Sequence, residues 1–185
     1  MSESEGVFWY VLFAANRKAA KINDYLKKVN VECFFPLHYA EHQIRNSERT
    51  RAVLQPLIGN LVFVKSSKDC LTPLLREIKI RFSIYDDLYY RYRDEDERII
   101  IVVPEKQMRN FIAVAGCTQE RVIYFSNEDV NFKKGTRVRI MGGAFEGVEG
   151  IFMRIKGDRR VVVSLPKLFS VATAFVPLEY ILPLE

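Results

Sequence analysis

His38, Glu41 and His42 stand in the order H-x-x-E-H within "HYAEH". One class of zinc peptidase uses this spacing to hold a metal and to set a carboxylate beside the metal-bound water. That chemistry needs a helix to bring both imidazoles to one ion. Here the motif follows Pro36 and alternates as a strand does, and no other segment offers a third ligand. The two histidines are read as exposed strand residues, without zinc. The second chemical candidate is the glycine-rich "GGAFEGVEG", residues 142 to 150. A dinucleotide loop needs G-x-G-x-x-G opening a helix, and a P-loop needs a closing G-K-S/T. This stretch has neither and leads into a strand, so it reads as a tight turn between strands. Phe145 at its tip is left without an evident core partner and is expected to be an exposed recognition anchor.

No nucleophile–base pair or scaffolded pair of carboxylates appears, and acidic "DEDE", residues 94 to 97, reads as a solvated loop. The expectation is a protein that is no enzyme and holds no cofactor. The three cysteines show no C-x-x-C spacing and sit among apolar neighbours, so they are expected to be buried, reduced thiols. The longest early apolar run, residues 7 to 15, has nine residues, against the roughly 20 of a membrane helix. The acidic "MSESEG" lacks a secretory n-region, and a cytoplasmic location is expected. The net charge is +5, and residues 131–185 hold nine Lys/Arg against five Asp/Glu. Those charges alternate with apolar residues instead of forming the dense stripe expected of a duplex-DNA binder.

Several elements must position these residues. "VFWYVLFA" predicts a buried strand, and "RKAAKINDYLKKV" a helix with Ala19, Ile22, Leu26 and Val29 on one face. "LHYAEHQIR" and "RTRAVLQ" predict two strands joined at "RNSE", followed by the strand in "PLIGNLVFVK". "DCLTPLLREI" predicts a helix with Pro73 in its first turn. "VPEKQMRNFIAVAG" predicts another, stopped by Gly116. The fold expected is an α+β domain over 7–116, an antiparallel sheet with flanking helices. A linker over 117–130 and a small all-β barrel over 131–185 follow.

"FKKGTRVRIMGGAFEGVEGIFMRIKGDRRVVVSL" resembles the KOW module of NusG-type transcription elongation factors, with Gly143, Phe145, Gly147 and Gly150 at the spacing of its G-x-F-x-G-x-x-G turn. "FWYVLFAANR" is similar to the family's opening W-Y strand, and "PLIGNLVFV" occupies the place of its P-L-F-P-x-Y-x-F-V segment. "GDRRVVVSL…VATAFVP" looks closest to UpxY-type paralogues of the RfaH class, antiterminators of long polysaccharide operons. The resemblance implies a monomeric, non-enzymatic factor that docks on the clamp helices of RNA polymerase. By position, Phe13, Leu57, Ile58 and Phe63 fall on the docking surface. A second reading of Leu57 and Ile58, as cover for a sheet edge, stays open. Phe145, with Glu146, falls where the family can contact ribosomal protein S10 or Rho. The polar gate-loop segment of RfaH-like members is absent here, its place reading "LTPLL". The alternative is a ribosome- or RNA-associated KOW protein, with Lys156, Arg159 and Arg160 as nucleic-acid contacts. In RfaH the barrel can refold as a helical hairpin. Here Val161, Val162, Val163, Val171, Thr173 and Val176, with four glycines and two prolines, predict that it stays β.

Overall fold

In the computed structural model, which describes residues 6–14, 18–45, 47–57, 60–94, 97–117, 122–126, 135–165 and 167–184, the early aromatic run forms strand β1 (Phe8–Phe13). Around it a four-stranded antiparallel sheet takes the order β2 (Cys33–Phe34), β5 (Leu61–Ser66), β1, β8 (Val102–Val103). Phe8 pairs with Ser66 and Phe13 with Leu61, so even-numbered side chains of β1 and β5 share a face. On that face Tyr10, Leu12, Val62 and Val64 join Ile22 and Leu26 of α1 (Ala19–Lys28) and Leu71, Leu75 and Ile78 of α2 (Lys68–Phe82) in one core. Trp9, Val11 and Phe63, on the odd face, are buried as well. A strand covered on both faces needs no alternation, which is why β1 reads as an unbroken apolar run.

Ser67 caps α2, its Oγ accepting from the Cys70 N–H at 3.3 Å. Pro73 lies in the second turn instead of the first, because the helix starts at Lys68. The Asp69 carbonyl loses its helical donor there, but Asp69 is exposed to water. Cys70 is exposed on the first turn, contrary to the expectation of burial, while Cys33 and Cys117 are partly buried. Burial pushes the Cys33 thiol pKa up. Strands β3 (Leu37–Gln43) and β4 (Thr50–Pro56) form a separate two-stranded hairpin. A second hairpin, β6 (Arg91–Asp94) with β7 (Glu97–Ile100), runs as far as the pair Asp94–Glu97, so it reaches into the stretch read as a loop. Among the described residues, no helix is long and apolar enough to cross a membrane.

The chain divides into two compact units at Pro104. Helix α3 (Glu105–Ala115), expected to close the first domain, therefore counts with the second unit. That unit is built on six antiparallel strands in the order β14 (Ile181–Pro183), β10 (Thr136–Ile140), β11 (Glu149–Ile155), β12 (Asp158–Leu165), β13 (Phe169–Ala172), β9 (Ile123–Ser126). β9 falls in the stretch read as linker, yet its four residues pair with the whole of β13. Its apolar Ile123 and Phe125 pack beside Met153 on Ile155, Val162 and Ala172. β14 pairs with β10 through Leu182 opposite Arg139 and Pro183 opposite Val138. The Met141 N–H donates to the Tyr180 carbonyl, and the Leu184 N–H to that of Arg137.

α3 packs on β12 and β13 with the Phe111 ring edge-on to Phe169 at 5.3 Å between centroids. At its start, Lys106 Nζ lies 2.6 Å from Glu149 Oε2, and Arg139 Nη2 lies 2.5 Å from Oε1. Hydrogen bonds first from Lys106 and then from Arg139 hold the Glu149 pKa below its ordinary value. A lowered carboxylate pKa contributes stability that is present above the unfolded pKa and lost as pH falls through the folded one. Both cations are largely exposed, so the contribution is modest. Glu149→Gln should lower the unfolding midpoint modestly at neutral and alkaline pH and flatten its acid limb, so that the two proteins converge at low pH. Superimposable acid limbs for the two proteins would show that these ion pairs carry no stability.

Candidate docking surface

Backbone hydrogen bonds pin the β4–β5 connection at both ends. The Leu57 N–H donates to Pro36 O at 2.9 Å, and the Ala14 N–H to Asn60 O at 2.8 Å. Phe13 ends β1 beside this turn, opposite Leu61, and its N–H donates to Leu88 O at 2.8 Å. Phe13 is 40% exposed, and its ring stands 6.2 Å from that of Tyr90. Tyr90 was not read from the sequence. It arrives because Tyr89 bridges to Leu12 and the Tyr90 N–H donates to Val11 O, laying residues 88–90 along the open edge of β1. The doublet Tyr89-Tyr90 was the available signal, but nothing local says which strand it meets. Tyr89 itself packs inward on Tyr10 at 5.8 Å, and burial raises its pKa.

The structure thus brings Phe13, Tyr90 and the partly exposed Leu57 to one end of the sheet. Ile58 lies outside the described residues. Phe63 does not belong to this surface. It is 0% exposed, with its ring 6.4 Å from Phe34, because it lies on the inner part of β5. Leu61 is buried too.

In the second unit, Phe145 is 5% exposed, so it is no projecting anchor. Gly143 and Gly147 take φ of 80° and 84°, which folds the turn back on β10. The Gly147 N–H donates to Ile140 O at 2.8 Å, closing the loop. Phe145 then lines a small cleft with Ile140, Phe175, Val176, Pro177 and Tyr180. Glu146 is left exposed on the outside.

Of the basic residues, Lys156 is exposed on the two-residue β11–β12 turn, with Lys156 and Gly157 both at positive φ. Arg159 is partly exposed and stands directly opposite exposed Arg154. Arg160 is buried. Its Nη1 donates to Thr173 O at 2.6 Å and its Nη2 to Asp158 Oδ2 at 2.9 Å, so it ties β12 to the residue that follows β13. It is a structural cation, withdrawn from the nucleic-acid set because its guanidinium serves the fold.

His38 and His42 lie on one face of β3, with Gln55 of β4 between them. Gln55 Nε2 stands 3.3 Å from His38 Nε2, and its Oε1 2.9 Å from His42 Nε2. Among the described residues, no group of three or more His, Cys, Asp or Glu is placed to share a metal.

The family model for transcription termination factor NusG matches residues 8–112, more than half of the chain. The chain belongs to the NusG family. Factors of this family bind RNA polymerase and act on transcription elongation and antitermination. The NusG match takes in the whole end of the sheet that carries Phe13, Leu57 and Tyr90, and it stops within α3. No curated protein matches the chain.

Proposed function

We propose that this NusG-family chain is an operon-specific elongation and antitermination factor of the UpxY type, in the RfaH class. It serves a polysaccharide biosynthesis operon by suppressing pausing and termination. It docks on the clamp helices of RNA polymerase through Phe13, Leu57 and Ile58, with Tyr90 completing the patch. It acts as a cytoplasmic monomer, without catalysis and without a cofactor. The half-exposed Phe13–Tyr90 pair beside the pinned turn carries this reading, because it lies within the matched residues. Exposed aromatic side chains at a sheet end supply large contact area at low entropic cost. Residues 131–185 act as a KOW module that engages ribosomal protein S10 or Rho. Exposed Glu146 makes that contact, on a turn shaped from within by Phe145.

Pull-down of the tagged full chain with sequencing of associated nascent transcripts is the test. RNA polymerase subunits should co-purify, with reads concentrated on one long operon. Recovery without polymerase would sink the reading. An even spread over all transcripts would remove its operon-specific part.

The alternative, a ribosome- or RNA-associated KOW protein, gains one observation. Like charges directly across a strand pair are unfavourable unless an anion sits on them, and Arg154 opposite Arg159 near Lys156 is such a pair. That reading expects ribosomes or RNA in the same pull-down in place of polymerase, released steeply by salt.

A further inference from the structure

We infer that one face of the β3–β4 hairpin is a second polymerase contact, continuous with the Leu57 turn, an extension that rests on the docking reading above. Directly paired residues of an antiparallel hairpin point to the same side. The register therefore gathers Leu37 with Pro56, Tyr39 with Leu54, and Glu41 with Ala52 on one face. His38 with Gln55, Ala40 with Val53, and His42 with Arg51 occupy the other.

The two faces differ in what they expose near the base. On the first face Tyr39 is 55% exposed and Leu54 44%, whereas His38, Gln55 and Val53 on the second are only partly exposed. A hairpin that turns a directly paired tyrosine and leucine to water, while the exposed residues of its other face are His42 and Arg51, offers a small apolar patch to an external partner. The apolar pairs also sit at one end. Leu37–Pro56 and Tyr39–Leu54 are at the base, while Glu41–Ala52 and Gln43–Thr50 lead to the tip. The base is where Leu57 continues from Pro56, tied to Pro36. The strip from Leu57 to Tyr39 is thus an extension of the docking end of the sheet. From Leu54 to Leu57 the strip spans about 13 Å, room for about two turns of an amphipathic helix to lie along it. A two-stranded hairpin is marginal by itself in water, so a partner on this face also stabilises it. The occupant is RNA polymerase, presenting an apolar helical stripe.

The test is binding of the full chain to core RNA polymerase. Tyr39→Ser with Leu54→Ser should weaken binding about tenfold, in the range of a truncated anchor. His42→Ala, on the opposite face, should leave it unchanged. If the double variant binds like the parent while Phe13→Asp does not, the hairpin contact is wrong and the sheet-end reading stands. If Phe13→Asp also binds like the parent, both are wrong. A photo-crosslinking aromatic residue in place of Tyr39 guards against local misfolding of the double variant. It should capture polymerase, and capture only of a second copy, or of nothing, overturns the proposal.

Discussion

Phe13→Asp should weaken binding to RNA polymerase at least about tenfold, or about 1.4 kcal/mol, while the protein stays folded. Phe13 is already partly covered by Tyr90, so binding hides only the remaining 40% of its surface. Full burial of a phenylalanine is worth roughly 1.5–3 kcal/mol, and the exposed part alone about 1 kcal/mol. Aspartate adds a carboxylate that must be desolvated against an apolar partner, which carries the loss past tenfold. The fold should tolerate the change because Phe13 holds its place through its backbone, donating to Leu88 and pairing with Leu61. A titration against core polymerase gives the affinity, and circular dichroism with a thermal melt reports the fold. A folded variant with unchanged affinity would remove Phe13 from the site.

Phe63→Ala should do the reverse, costing about 3–5 kcal/mol of stability while leaving the affinity of the folded molecules within a few-fold. Phe63 is among the largest fully buried side chains and packs on Phe34 from the middle of β5, next to β1. Truncation there leaves a cavity beside Phe34 on the odd face, where close-packed neighbours relax only partly. Such a loss is a large share of the roughly 5–15 kcal/mol that holds a domain. Chemical denaturation of the full chain, followed by a probe of the first unit, measures it. Unchanged stability with lost binding would return Phe63 to the docking surface.

These two phenylalanines mark what the sequence could and could not tell. Unbroken apolar runs mark β1 and β5, while periodicity marks α1, the β3–β4 hairpin and both later helices, because one-sided burial imposes a period that a single chain displays. It did not say how deep each apolar residue would lie. Phe13 and Phe63 belong to equally apolar strands, and only the register separates a strand end from a strand middle. Phe145 is buried although a glycine-rich turn reads as projecting. Gly143 and Gly147, at positive φ, fold it inward instead. Arg160 was misplaced because alternating "GDRRVVV" looks solvated, while its guanidinium finds Thr173 through a pairing thirteen residues away. Tyr90 was missed for the same reason, since its meeting with Phe13 is long-range. α3 was assigned by proximity in sequence to the first domain, and its charge contacts to Glu149 were invisible until β10 and β11 were paired.

Strand β14 has a bearing on how the molecule behaves at high concentration. Tyr180, Leu182 and Leu184 turn their backbone groups toward β10, since Met141 binds Tyr180 and Leu184 binds Arg137. Ile181 and Pro183 therefore aim theirs at the open rim of the sheet. Pro183 has no N–H to give and the Ile181 N–H is already bonded to Leu178 O, so β14 offers the rim no free outward amide. A neighbouring chain cannot zip onto so sparse a template, and stacking of one sheet on the next, the usual first step toward filaments, is blocked at this side of the molecule.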